Sequence, residues 1–165
     1  MKKLLVLLMS VVTLVAFTGC AQKEVVKNVP VRDIITSIES EVETVKGLSE
    51  LDFNKEELSE FDMMTIEAFG FNLEDIEEGI IKYPMINLQA EEVIIIKAKD
   101  ETKMTAIKEA LQLHVENQMA AFENYVPENY EMVKNHVLKT EGNYVLLAIS
   151  TDAAKIDEIF TNALK

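Results

Sequence analysis

The chain has 165 residues, 48% of them hydrophobic and 27% charged, with 29 acidic side chains against 16 basic ones. Its length suits one domain and its apolar fraction a folded one. A formal charge of −13 argues against binding nucleic acid. One cysteine excludes an internal disulfide framework or a thiolate metal cluster, and two histidines leave little for a zinc site.

The chain opens as an address. Lys2 and Lys3 form a short positive region, and Leu4 to Phe17 is an apolar run broken only by Ser10 and Thr13. Fourteen residues are too few for a spanning helix, which needs about 20, but they fit the apolar segment of a signal peptide. The run ends in Phe17-Thr18-Gly19-Cys20, which resembles the bacterial lipobox, with Phe17 in place of the commoner Leu. The resemblance implies cleavage after Gly19 and diacylation of the Cys20 thiol. Two acyl chains anchor firmly, since each buried CH₂ contributes about 0.8 kcal/mol. Residues 1–19 are thus expected to be a lipoprotein signal peptide and 20–29 a tether. The rest carries 14 basic and 29 acidic side chains, a balance of −15, and has no thiol left for chemistry.

Residues 30–165 are expected to form one domain. Pro30 suits a first helical turn, and Val31, Ile34, Ile35, Ile38, Val42 and Val45 follow at helical spacing up to Gly47. Leu48 to Gly70 is less regular, with one or two short helices over 56–69. Asn72 is expected to cap a short helix running through Glu78. Ile80, Ile81 and Tyr83 predict a strand stopped by Pro84. Glu92 to Lys99 predicts another, whose Val93-Ile94-Ile95-Ile96 centre is apolar on both faces and so lies well inside a sheet. Asp100 is expected to cap the longest helix, where Met104, Ile107, Leu111, Val115, Gln118 and Phe122 share one stripe. Leu113 lies opposite it. Pro127 breaks or restarts that helix. Residues 136–140 and 144–149 form a hairpin across Glu141-Gly142-Asn143, and Asp152 caps a last helix carrying Ile156, Ile159, Phe160 and Leu164. This order predicts an α+β fold, with helices packed on one face of a mostly antiparallel sheet of about four strands.

Pro84-Met85-Ile86-Asn87, Ala90-Glu91-Glu92-Val93, the long helix with Gln118, then Tyr125, Pro127, Tyr130 and Gly142-Asn143-Tyr144-Val145 together resemble a known family. It is the bacterial family labelled domain of unknown function 4358, found mostly on lipoproteins of low-GC Gram-positive bacteria. The similarity runs from about Phe71 to the C-terminus. It departs from the family pattern at Ile86, where a second methionine is usual, and at Glu91, where an aspartate is. It implies a small tethered extracytoplasmic domain and supplies no activity.

Few residues point to chemistry. Glu74, Asp75, Glu77 and Glu78 lack the alternating ligands and glycine of a calcium loop and read as a solvated helix start. Glu91 and Glu92 could be a general acid/base pair, but neighbours on a strand point to opposite faces and share a site only if the chain bends there. His114 and His136 have no neighbours at metal-ligand spacing, and Ser150 has no identifiable base. No phosphate-binding loop, dinucleotide fingerprint or nucleophile elbow is present. No catalytic residue, cofactor or metal is therefore assigned. In the Pro84–Asn87 segment, Met85 reads as a core filler and Asn87 as a turn-fixing side chain, or both as ligand contacts. Tyr125, Tyr130 and Tyr144 read as ring-packed residues or, with Met85 and Asn87, as a ligand or partner surface.

The expectation is a membrane-anchored, non-enzymatic binding or accessory module on the extracytoplasmic face. Its partners would be the bilayer, through acylated Cys20, and an envelope protein or wall polymer. An envelope-acting enzyme with an unrecognised site is the second reading. A solute-binding lipoprotein is the third, since the 146 residues after position 19 are few for two lobes.

Overall fold

The computed structural model describes residues 26–86 and 88–165. Cys20, the leader and Asn87 lie outside them. The described residues form one five-stranded antiparallel sheet with helices on both sides. Strands β1 (Ser49–Asp52), β2 (Ile76–Tyr83), β3 (Glu92–Ala98), β4 (Val137–Glu141) and β5 (Tyr144–Ile149) lie in the order β1-β2-β3-β5-β4. The class is α+β, as the sequence predicts, with two differences. There are five strands rather than about four, and helices cover both faces rather than one.

The second difference follows from the strand patterns. All seven residues of β3 and all six of β5 are buried, so both sides of these central strands need cover. One face carries Ile80, Val93, Ile95, Tyr144, Leu146 and Ala148. Onto it pack the amphipathic helix α1 (Val31–Glu41), the single turn α2 (Glu43–Lys46) and α6 (Ala153–Leu164). The other face carries Ile81, Ile94, Ile96, Val145, Leu147 and Ile149. It is covered by α3 (Glu60–Ala68), α4 (Met104–Phe122) and α5 (Pro127–Lys134). Each fully buried aliphatic side chain contributes about 1.5–3 kcal/mol, so the two helical layers together hold the sheet between them.

Strand β1 is the missed element. Ser-Glu-Leu-Asp holds one apolar residue, too little for a periodic signal, and its backbone pairs with β2 from Ser49↔Tyr83 to Asp52↔Ile80. The first helix is not continuous, because Val42 is extended (φ −124°, ψ 94°) between α1 and α2. The helix expected over 72–78 is corrected to one 3-10 turn, Leu73–Asp75, before β2 begins at Ile76. Asn72 still accepts a hydrogen bond from the Glu74 N–H. The isoleucines of 76–81 gain more by joining the sheet than a short helix would offer. Asp100 caps a 3-10 turn, Glu101–Lys103, that leads into α4. Asp152 precedes α6 without a side-chain cap, and the Ser150 hydroxyl accepts its N–H instead.

The β4–β5 loop is Gly142-Asn143, between the paired residues Glu141 and Tyr144. Gly142 has φ +57° and among the described residues no non-glycine residue has positive φ, which makes the turn type II′. Val26 lies over this turn: a Cβ on Gly142 would come within 3.1 Å of it. Lys27 N–H donates to Leu164 O at 2.9 Å, and the Tyr144 hydroxyl accepts from Val29 N and donates to Val29 O. Residues 26–29 are thus held against the domain at the hairpin end of the sheet.

Candidate functional site

At the opposite end of the sheet, β2 ends at Tyr83, the connection 84–91 follows, and β3 begins at Glu92. The second half of α4 passes over these ends, and α3 closes one side. Between them is a half-open cleft of about 320 Å³. The sequence builds it in three ways. Pro84 stops β2 and turns the chain out of the sheet. The Asn129 amide pins the connection by donating to Leu88 O at 2.7 Å. A capping box, in which Ser59 and Asp62 bond each other's backbone N–H, starts α3, and Gly70 (φ +77°) ends it. The helix is thereby fixed beside α4.

The floor of the cleft is polar. Glu92, 4% exposed, points to the α4 side, and its Oε2 lies 2.6 Å from His114 Nε2. Among the described residues His114 is its one hydrogen-bond partner. The Phe69 ring packs on the His114 imidazole at 4.4 Å between centroids and stacks on Phe71. Gln118, one helical turn beyond His114, also faces the cleft, and Tyr83, Phe122 and Tyr125 supply aromatic wall. Ile86 and Tyr125 at the mouth are 54% and 67% exposed. The described lining contains no lysine or arginine.

Glu91 turns the other way, as strand alternation requires. Its Oε1 accepts from the Thr44 and Ser150 hydroxyls, both at 2.7 Å, tying α2 to the end of β5. Ser150 therefore has a structural role. The acidic cluster resolves into ion pairs: Asp75 with Lys103, and Glu77 and Glu78 with the buried Lys97. Glu78 also accepts the first N–H of α1, from Val31, at 2.7 Å. Burial opposes the charge on Lys97, but its bond to Glu77 and its nearby anions outweigh this and hold its pKa above the ordinary lysine value. Among the described residues no group of three or more His, Cys, Asp or Glu side chains could hold a metal ion.

The expected surface residues separate. Tyr125 lines the cleft, and Met85 stands beside it in the connection. Met85 is 85% exposed, so the expectation that it fills the core is overturned: the chain has already left the sheet at Pro84. Tyr130 is half-buried on α5 against the α4-side core. Tyr144, 1% exposed, lies on the other face of the sheet and belongs to no surface. Burial raises its phenol pKa above the ordinary value. The pair that sequence reasoning missed is Glu92–His114. Its one visible signal is a glutamate opening a strand that is otherwise apolar on both faces, and 22 residues separate the partners.

A wider groove of about 910 Å³ runs along the hairpin end, between Gly142 and the start of α4. It is shallow, and Asp100, Glu101, Glu141 and Lys108 leave it with mixed charge and no buried polar floor.

The fold and cleft define a small three-layer α+β domain with an aromatic-lined recess over a buried carboxylate. The chain belongs to the family described as Domain of unknown function (DUF4358), whose model matches residues 49–150. The match begins before Phe71, taking in β1 and α3, and ends after β5, so the cleft lies inside it and α1 and α6 outside. No curated protein and no solved structure matches the chain.

Proposed function

We propose that the protein is a lipid-anchored extracytoplasmic module that binds another component of the cell envelope, a protein or wall-associated polymer, through the Glu92–His114 cleft, without turning it over. The leader, the lipobox-like Phe17–Cys20 and the family resemblance support the anchored placement. One observation carries the binding role: the cleft sits at the end of the sheet remote from residue 26. Glu92 and Ala98 are six residues apart on β3, a separation of about 20 Å along the strand. Val26 packs at the Ala98 end. A chain held at the membrane by its N-terminus would turn the cleft away from the bilayer, toward envelope partners.

The lining supports binding over catalysis. No serine or cysteine lines the described cleft, and the Thr65 hydroxyl donates to Phe61 O. No helix among the described residues is long and apolar enough to cross a membrane. One sheet runs through all five strands, which speaks against a two-lobed solute receptor closing on its ligand. An enzymatic reading keeps one supporting feature, the 2.6 Å carboxylate–imidazole contact, which has the geometry of a general base and its orienting group.

Three measurements test the proposal. Mass spectrometry of the native protein should find Cys20 as a diacylated N-terminus; a free thiol, or an intact leader in a cytosolic pool, refutes the placement. A photoreactive group at Tyr125 should capture an envelope component that the same group at Lys108 does not. Turnover of wall material by the purified protein, abolished in Glu92→Gln, refutes the non-enzymatic part.

A further inference from the structure

We propose that the cleft recognises an alkylammonium group, an amine cation on a short apolar stem of the kind a lysine side chain carries. The inference rests on the binding role proposed above and names the chemistry of that site. Three observations converge. The floor holds a carboxylate, Glu92, almost wholly buried and bonded through one oxygen to His114. The walls present the rings of Tyr83, Phe122 and Tyr125, whose π faces attract cations and whose carbon surface covers a stem. The described lining offers no lysine or arginine to receive an anion, and the chain as a whole is strongly acidic.

Charge decides between ligand classes. An anion entering the cleft would meet Glu92 with only the His114 imidazole to offset it. A neutral apolar group would bury the Glu92 carboxylate further without adding any partner to His114, which is costly in a low-dielectric recess. An ammonium adds a charged partner to a carboxylate that His114 reaches through one oxygen, and the side-chain carbonyl of Gln118, also in the lining, can accept one of its remaining N–H groups. A volume of about 320 Å³ lies at the small end of ligand sites, so the recess admits one such side chain rather than a whole peptide or sugar chain. The exposed Ile86 and Tyr125 at the mouth then contact what carries it.

The test uses the full chain in detergent and four probes in titration calorimetry: pentylammonium, Nα-acetyl-lysine N-methylamide, its Nε-acetyl counterpart and hexanoate. At least tenfold tighter binding of an ammonium probe than of the neutral and anionic probes is expected, with loss of that preference in Glu92→Gln. Amide shifts in NMR should map to Glu92, His114 and Gln118. Binding of pentylammonium alone identifies a free amine as the source; binding of the lysine amide alone identifies a peptide-borne one. Both outcomes support the proposal. Equal or tighter binding of the neutral or anionic probes overturns it, as does a shift map centred on Lys108. If Glu92→Gln does not fold, the probe series on the wild-type chain still decides. A free thiol at Cys20 would refute the membrane placement and leave this result standing. Indifference to ammonium would refute this inference and leave the placement standing.

Discussion

Replacing Tyr144 by phenylalanine isolates the contact that fixes residues 26–29 to the domain. The ring is buried and stays. The hydroxyl accepts from Val29 N at 3.0 Å, donates to Val29 O at 2.8 Å and lies 3.2 Å from Asn28 Oδ1. Removing it deletes two full hydrogen bonds, each contributing about 0.5–1.5 kcal/mol. Val29 is half-buried, so water restores part of its bonding and the loss should fall at about 1–2 kcal/mol. For a chain of this length that lowers Tm by about 3–6 °C. Thermal unfolding by circular dichroism measures it, and hydrogen exchange should speed at the Val29 amide before any amide of β3. The pH dependence gives a second reading. Burial raises the Tyr144 pKa in the folded state. Its contribution is therefore full below the unfolded phenol value of about 10 and is lost as pH rises through the raised folded value. Wild-type stability should fall more steeply above pH 10 than that of Tyr144→Phe. Unchanged Tm at pH 7 together with parallel alkaline limbs would show that the hydroxyl does not hold the segment.

Three further outcomes are expected. In Gly79→Ala a Cβ would meet the Phe53 ring at 2.5 Å; expelling that ring from the α4-side core should cost about 1–3 kcal/mol, partly recovered by adding Phe53→Leu, as read by urea midpoints. Leu111→Ala empties the middle of the α4 stripe and should cost about 2–5 kcal/mol in the same assay; a loss below 1 kcal/mol would mean α4 is not a core helix. Hydrogen bonds from the Arg32 guanidinium hold the Glu50 carboxyl below its ordinary pKa against the opposing effect of burial. That contribution is full above about pH 4.3 and is lost as pH falls through the lowered value; Glu50→Gln should flatten the acid limb of the stability curve by less than about 1 kcal/mol, because the pair is substantially exposed.

Local pattern was enough wherever a residue's neighbours in sequence are also its neighbours in space. The stripe on α4, the hairpin at Gly142, the opposite facing of Glu91 and Glu92 and the double-sided burial of 93–96 all depend on periods of 3.6 or 2 and one glycine, and each could be read from the sequence. What needed the tertiary structure depends on partners far apart in the chain. Strand β1 exists because β2 offers it a backbone ladder 30 residues on, not because Ser-Glu-Leu-Asp favours extension. Residues 76–79 join the sheet because β3 waits beside them, which a local helix signal does not record. Tyr144 opens a strand, and its sequence leaves ring packing and a partner surface both open; the returning segment 26–29 makes it a buried strut. The Glu92–His114 floor arises because a strand and a helix separated by 22 residues cross at one point, and side-chain chemistry at such a crossing is set by packing rather than by spacing.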